Sequence, residues 1–268
     1  MIIGNKEFDC DNSTYIMGIL NITPDSFSDG GKYNDMDQAL FHVEEMIEKG
    51  ADIIDIGGES TRPNYTLLSD EEEISRVVPI VEAVKKRFAV PISIDTYKSG
   101  VADAAILAGA NLVNDIWGLK YDGKLAQVIS KHQVPCCLMH NRKEPDYNSF
   151  LVDMCEDLKE TVAIAKEAGV EDDKIILDPG VGFGKTYANN LEAIYHVGRL
   201  HELGYPVLLG TSRKSVIGNA LDLPVDQRVE GTLVTTVFGV MQGCAFIRVH
   251  DVEANKRAVL MTRAIMGK

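Results

Sequence analysis

Eight short apolar runs recur along the chain, at 15–20 (YIMGIL), 52–57 (DIIDIG), 91–96 (PISIDT), 112–116 (LVNDI), 135–139 (PCCLM), 175–178 (IILD), 207–210 (VLLG) and 245–249 (AFIRV). They are nearly continuous in hydrophobicity rather than alternating, as strands are when both faces of a parallel sheet are buried. Segments of helical period separate them. Over 36–49, Met36, Leu40, Val43 and Ile47 share one helical face, and Gly50 follows as a stop. Ser69 with Asp70, Glu71 and Glu72 reads as a capping box that opens the next helix. Gly109, Gly169 and Gly204 each closely follow a helical stretch. Eight strand–helix units within 268 residues predict an α/β fold, a (β/α)8 TIM barrel forming a single domain over 1–268, in preference to an open doubly wound sheet.

The polar residues are not scattered. They stand where the runs end: Asn21, Glu59-Ser60-Thr61-Arg62, Asp95, Asn114-Asp115, His140, Asp178, Ser212-Arg213-Lys214-Ser215, and Arg248 with His250. In a barrel all strand C-termini open on one face, so these distant positions converge on one mouth. Strand ends near water account for single polar residues, but poorly for this set of carboxylates, amides and cations. His42, His132, His196 and His201 fall on helical stretches and are expected to be exposed or packed there.

Composition narrows the partners. The net charge of -13 argues against nucleic acid or an anionic membrane surface. An anionic substrate would need a local cationic pocket. No apolar run reaches the ~18 residues of a membrane span, and the first residues lack a signal-peptide pattern. Five cysteines without CxxC spacing suggest reduced thiols. A cytoplasmic protein is expected.

The stretch LDPGVGFGKT (177–186) imitates a phosphate loop. A Walker A motif ending at Gly184-Lys185-Thr186 needs glycine at 179, where Pro179 stands without an amide hydrogen. Gly180, Gly182 and Gly184 are spaced GxGxG, which also fails the dinucleotide pattern. What remains is a strand-end aspartate followed by a backbone free to approach a flat ligand. After the first strand, NITPDSFSDGG (21–31) has the composition of a lid, or of an ordinary polar turn. GGESTRP (57–63) sets Arg62 beside hydroxyls, suited to phosphate or carboxylate. SRKS (212–215) falls in the loop region where this fold habitually holds phosphate. Alternation in RVH (248–250) points Arg248 and His250 to the same side.

With these motifs in order, the chain resembles the bacterial dihydropteroate synthases over about residues 15–251. The matching stretches are GILNITPDSFSDGG, DIIDIGGESTRP, SIDTYK, NDI, DPGVGFGK, GTSRKS and RVHD. The resemblance implies a (β/α)8 barrel and a transferase joining (7,8-dihydropterin-6-yl)methyl diphosphate to 4-aminobenzoate with release of diphosphate. It also implies magnesium, a homodimer, and a 4-aminobenzoate pocket that sulfonamides would occupy. By the same resemblance Asp178, Asp95, Asn114 and Lys214 read the pterin, Ile116, Met139 and Phe183 line its slot, and Arg248 stacks on it. Asn21 contacts the metal. Thr61, Arg62, Arg248 and His250 hold the diphosphate, and Asp29 stabilises the cation that forms. Asp29, Arg62, Lys214, Arg248 and His250 make up the catalytic set. Phe27, Pro63 and Ser215 complete the 4-aminobenzoate site. Two stretches depart from the family: Asn64 replaces a usual glycine, and Asn141-Arg142-Lys143-Glu144-Pro145 replaces the usual run after His140. A methyltetrahydrofolate-type methyltransferase would share the pterin carboxylate, yet needs neither TPDSFSDGG nor STRP. A non-catalytic pterin-binding paralogue should have lost diphosphate residues, and Asn21, Asp29, Arg62, Lys214, Arg248 and His250 are all present.

Overall fold

The computed structural model describes residues 1–22, 32–59 and 67–268, with side chains in the second stretch from Met36 onward. Elements run β1 (Ile2–Ile3), β2 (Lys6–Glu7), β3 (Tyr15–Asn21), α1 (Lys32–Glu48), β4 (Ile53–Gly57), α2 (Asp70–Arg87), β5 (Ile92–Asp95) and α3 (Ser99–Ala108). They continue β6 (Leu112–Asp115), α4 (Leu125–His132), β7 (Cys136–Met139), α5 (Phe150–Glu167), β8 (Ile175–Asp178) and α6 (Tyr187–Tyr195). The last are β9 (Leu208–Leu209), α7 (Ser215–Leu221), α8 (Val229–Met241), β10 (Phe246–Val249) and α9 (Val252–Ile265).

All eight apolar runs are strands. They form one parallel sheet in the order β8-β7-β6-β5-β4-β3-β10-β9. A parallel bridge between Leu177 and Val207 joins β8 to β9, and the Leu177 N–H donates to Pro206 O at 2.9 Å. The sheet is therefore a barrel, as the strand count predicts. The helix signals hold too. Ser69 Oγ accepts the Glu72 N–H at 3.2 Å, and four acidic residues in the first turn of α2 with three basic ones in its last turn suit the helix dipole.

Side chains alternate along a strand, so every second residue enters the barrel. Ile16, Ile54, Val113, Leu138, Leu177, Leu209 and Ile247 face outward and pack under the helices. Met17, Ile53, Leu112, Cys137, Ile176, Leu208 and Phe246 face inward and form a separate apolar floor. The antiparallel pair β1–β2 seals that floor from outside, because Ile3 and Phe8 are buried in the same cluster. The Phe8 ring meets Tyr15 edge-on at 4.7 Å and lies 5.7 Å from Phe246. Two residues further along the strands, the inward positions change character. On seven strands they are Asp55, Asp95, Asn114, Met139, Asp178, Gly210 and Arg248, while β3 keeps the aliphatic Ile19. An apolar floor beneath a polar upper layer is what gives the C-terminal end its chemistry.

Candidate active site

The upper layer is drawn together by one guanidinium. Arg248 donates through Nε to Asp55 Oδ2 and through Nη2 to Asp95 Oδ2, both at 2.5 Å. Asn114 Nδ2 donates to the same Asp55 oxygen at 3.2 Å. Register explains the convergence: Gly57 pairs with Asn21 and Asp95, and Asp95 pairs with Asn114. Burial raises the Asp95 pKa to about 7, with the nearby Asp55 carboxylate adding to it and Arg248 opposing it. Arg248 is also buried, but Asp55 and Asp95 push its pKa further up, so it stays cationic. Asp55 is fully buried, and its Oδ1 lacks a hydrogen-bond partner among the described residues.

Across the mouth stand Asp178 and Lys214. Asp178 is 5% exposed, and its Oδ1 accepts the Gly180 N–H at 2.6 Å. Burial raises its pKa, while Lys214 and that N–H pull it back. Burial lowers Lys214 to about 8, and Asp178 opposes the shift. Lys214 Nζ donates to Val181 O at 2.6 Å and lies 4.8 Å from the centre of the Phe183 ring. Gly210 sits between the groups. A Cβ there would meet Asp178 Oδ2 at 3.7 Å, Arg248 Cβ at 3.8 Å and Lys214 Nζ at 3.9 Å. A Cβ on Gly57 would meet Asp95 Oδ2 at 3.6 Å and Asn21 Oδ1 at 3.9 Å. Gly210 and Gly57 thus carry no side chain into the barrel mouth, the slot beside the carboxylates and cations named above. Ile116 and Met139 form an apolar patch with Tyr97, against which Phe183 and Trp117 pack. The mouth therefore has an apolar side at Ile116, Met139 and Phe183 and a polar side at Asp55, Asp95 and Arg248.

The sequence-derived residues fall into three groups. Asp95, Asn114, Ile116, Met139, Asp178, Phe183, Lys214 and Arg248 come together around the slot, with Asn21 at its edge. His250 lies one residue beyond β10, where its Nδ1 meets Ser212 Oγ at 3.0 Å. Ser215 opens α7 next to Lys214. Phe27, Asp29, Thr61, Arg62 and Pro63, together with Asn64, lie outside the described residues. Within the departing 141–145 run, Arg142 is fixed by Asp157 at 2.6 Å and lies over the Tyr147 ring at 4.5 Å.

Asp55, Lys98 and Tyr97 were not singled out by sequence, and Glu59 and Asp115, named there only as strand-end residues, take other roles. Asp55 sits inside an isoleucine run, and only the inward parity of Ile53 and Asp55 betrays it. Glu59 and Glu73 share the Lys98 ammonium at 2.8 Å each, all three nearly without solvent exposure. Lys98 also donates to Leu68 O at 2.9 Å, and the Tyr97 hydroxyl donates to Glu59. Glu73 therefore does more than favour a helix dipole. Asp115 turns away from the slot and holds its own loop, accepting N–H bonds from Trp117 at 2.8 Å and Leu119 at 2.6 Å. Among the described residues no three His, Cys, Asp or Glu side chains stand as a metal cluster.

Comparison with known proteins shows the family. The family model described as pterin binding enzyme matches residues 17–250. A dihydropteroate synthase of Clostridium beijerinckii is 63% identical over 269 residues, covering 100% of both chains. The structure of a Clostridium difficile dihydropteroate synthase in the presence of pteroic acid superposes with a TM-score of 0.95 at 48% identity, covering 98% of this chain and 100% of that one. That of the Xanthomonas albilineans dihydropteroate synthase with 4-aminobenzoic acid gives 0.92 at 38% identity, covering 97% and 98%. A family model matched over residues 17–250 and relatives matched over the full length place this chain in the dihydropteroate synthase family of pterin binding enzymes.

Proposed function

We propose that the barrel mouth holds the pterin of (7,8-dihydropterin-6-yl)methyl diphosphate and that 4-aminobenzoate displaces the diphosphate there. The observation carrying this reading is Asp178, a buried carboxylate at the barrel mouth with Lys214 and Arg248 beside it. A pterin edge presents an array of N–H donors like a guanidine, and a carboxylate accepts two of them. Asp95 and Asn114 complete the polar contacts, and Lys214 donates to the ring carbonyl or a ring nitrogen. Ile116, Met139 and Phe183 sandwich the ring, and the Arg248 plane stacks on it.

Departure of diphosphate leaves a benzylic-type cation at the pterin methylene and places negative charge on the leaving group. Preorganised cations stabilise that charge without reorganising. Arg62, Arg248 and His250 supply them, with Thr61 on the diphosphate and Asp29 near the developing cation. Phe27, Pro63 and Ser215 border the incoming amine. The donor set suits magnesium carried by the substrate, since this ion keeps waters and phosphate oxygens and asks few ligands of the protein. Asn21, a neutral oxygen donor at the slot edge, would touch it. Bound there, the ion would neutralise the departing diphosphate.

We further assign a homodimer. Val234, Phe238 and Met241 on α8, and Leu260, Met261 and Ile265 on α9, are exposed apolar residues on two helices packed against each other. A paired copy would cover them.

The function is tested by incubating the folded protein with pterin diphosphate, 4-aminobenzoate and magnesium. Release of diphosphate dependent on all three is expected. No release would reject the assignment.

A further inference from the structure

The lysine of the GxGxGK stretch is left without a role by the reading above. Lys185 does not face a phosphate. Its Nζ donates to Gly180 O at 2.9 Å, to Phe183 O at 3.0 Å and to His140 Nδ1 at 2.8 Å. An ammonium has three N–H groups, and these three acceptors are the nearest, with His140 O farther off at 3.4 Å. His140 Nδ1 must then be the acceptor, so its Nε2–H donates to Asp157 Oδ2 at 2.9 Å. Burial, with Lys185 adding to it, lowers His140 to about 3, which keeps the ring neutral.

The two loops joined by this lysine touch backbone to backbone. A Cβ on Gly180, whose φ is +69°, would lie 1.9 Å from His140 O. On Gly184 it would lie 2.2 Å from Arg142 O. The Tyr147 hydroxyl donates to Gly184 O at 2.6 Å. The turn between these glycines carries the Gly180 N–H that engages Asp178 and the Val181 carbonyl that engages Lys214. It also ends on Phe183.

We propose that Lys185 is a positioning residue for the pterin slot: its ammonium ties the Gly180–Phe183 turn to the end of β7 and so sets where Asp178, Lys214 and Phe183 meet the ring. The proposal rests on the slot binding pterin. It predicts a dependence on pH. The groups facing Lys185 are the neutral His140 ring and the charged Arg142 from the loop after β7, Asp157 from α5, Asp178 from β8 and Lys214 from the loop after β9. Burial lowers Lys185 to about 7, with Asp178 opposing. As pH rises through that value one N–H is lost, and a lone pair faces an acceptor.

The test compares wild type, Lys185→Met and Lys185→Gln by calorimetry with the pterin substrate, and by steady-state kinetics. Hydrogen bonds to a charged group are worth more than neutral ones, so Lys185→Met should raise the pterin Kd about tenfold or more. The KM for 4-aminobenzoate should stay within twofold. The ratio of wild-type to variant pterin affinity should shrink as pH rises through 7, because wild type then loses the bond that the variants already lack. Glutamine donates two bonds and does not titrate, so its loss should be intermediate. Folded variants binding pterin as wild type does, or an equal rise in both KM values, would overturn the proposal. So would failure of both variants to fold, which would make Lys185 a stability residue. If wild type itself bound no pterin, the functional reading would fall first.

Discussion

At the scale of single residues, Asp95, Asp178 and Lys214 are buried charges whose pKa values are displaced toward neutrality, while Arg248 beside them is held cationic. Asp95 stands at about 7 and Asp178 is raised, both through burial, while Lys214 is lowered to about 8 by the same cause. On the function proposed here, pterin binding asks for ionised Asp178 and protonated Lys214. Its affinity should therefore pass through a maximum in pH. Below the maximum, carboxylates take up protons and lose acceptor capacity. Above it, Lys214 loses a donor. The acid limb should lie above the ~3.9 of an ordinary aspartate. Calorimetric titrations with pterin between pH 5 and 9 check this, and an affinity flat across that range would contradict the charge assignments. Most of these residues were legible from sequence because each ends a strand and its motif is specific. Asp55 was not, since a carboxylate among isoleucines declares itself only when the inward parity of its strand is known.

At the scale of elements, the strand pattern carried almost everything. All eight apolar runs became barrel strands, because continuous hydrophobicity is what a strand buried on both faces requires. The β1–β2 pair escaped the reading: its strands are two residues each, too short for any period to show. Contacts between elements were equally hidden. Lys98, ahead of α3, lies 2.8 Å from Glu59 after β4 and from Glu73 in α2, with side-chain exposures of 4%, 3% and 2%. Nothing in the sequence relates these positions. Removing the shared cation leaves two buried carboxylates facing each other. Lys98→Met should thus cost about 3–5 kcal/mol, a fall of roughly 10 °C in melting temperature. Adding Glu59→Gln and Glu73→Gln should recover most of the loss, because the uncompensated charges are then gone. Calorimetric melting checks both, and a single variant melting within about 2 °C of wild type would contradict the account.

At the scale of the whole molecule, the barrel separates two tasks. Its floor, closed by Ile3 and Phe8, is apolar and stabilises. Its mouth is polar and binds. No described helix is long and apolar enough to cross a membrane, and the exposed apolar faces of α8 and α9 call for another cover. If that cover is a second copy, the double variant Phe238→Glu, Met261→Glu should sediment as a monomer where wild type sediments as a dimer. Wild type sedimenting as a monomer would contradict the assignment.

The central claim is that Asp178 reads the pterin edge. Calorimetry of pterin binding to wild type and to Asp178→Asn tests it most directly. The amide turns one acceptor into a donor facing donors, in a buried slot. We predict a loss of about 3 kcal/mol, roughly a hundredfold in Kd, with the melting temperature unchanged. A folded Asp178→Asn variant that binds pterin within about threefold of wild type would contradict the account.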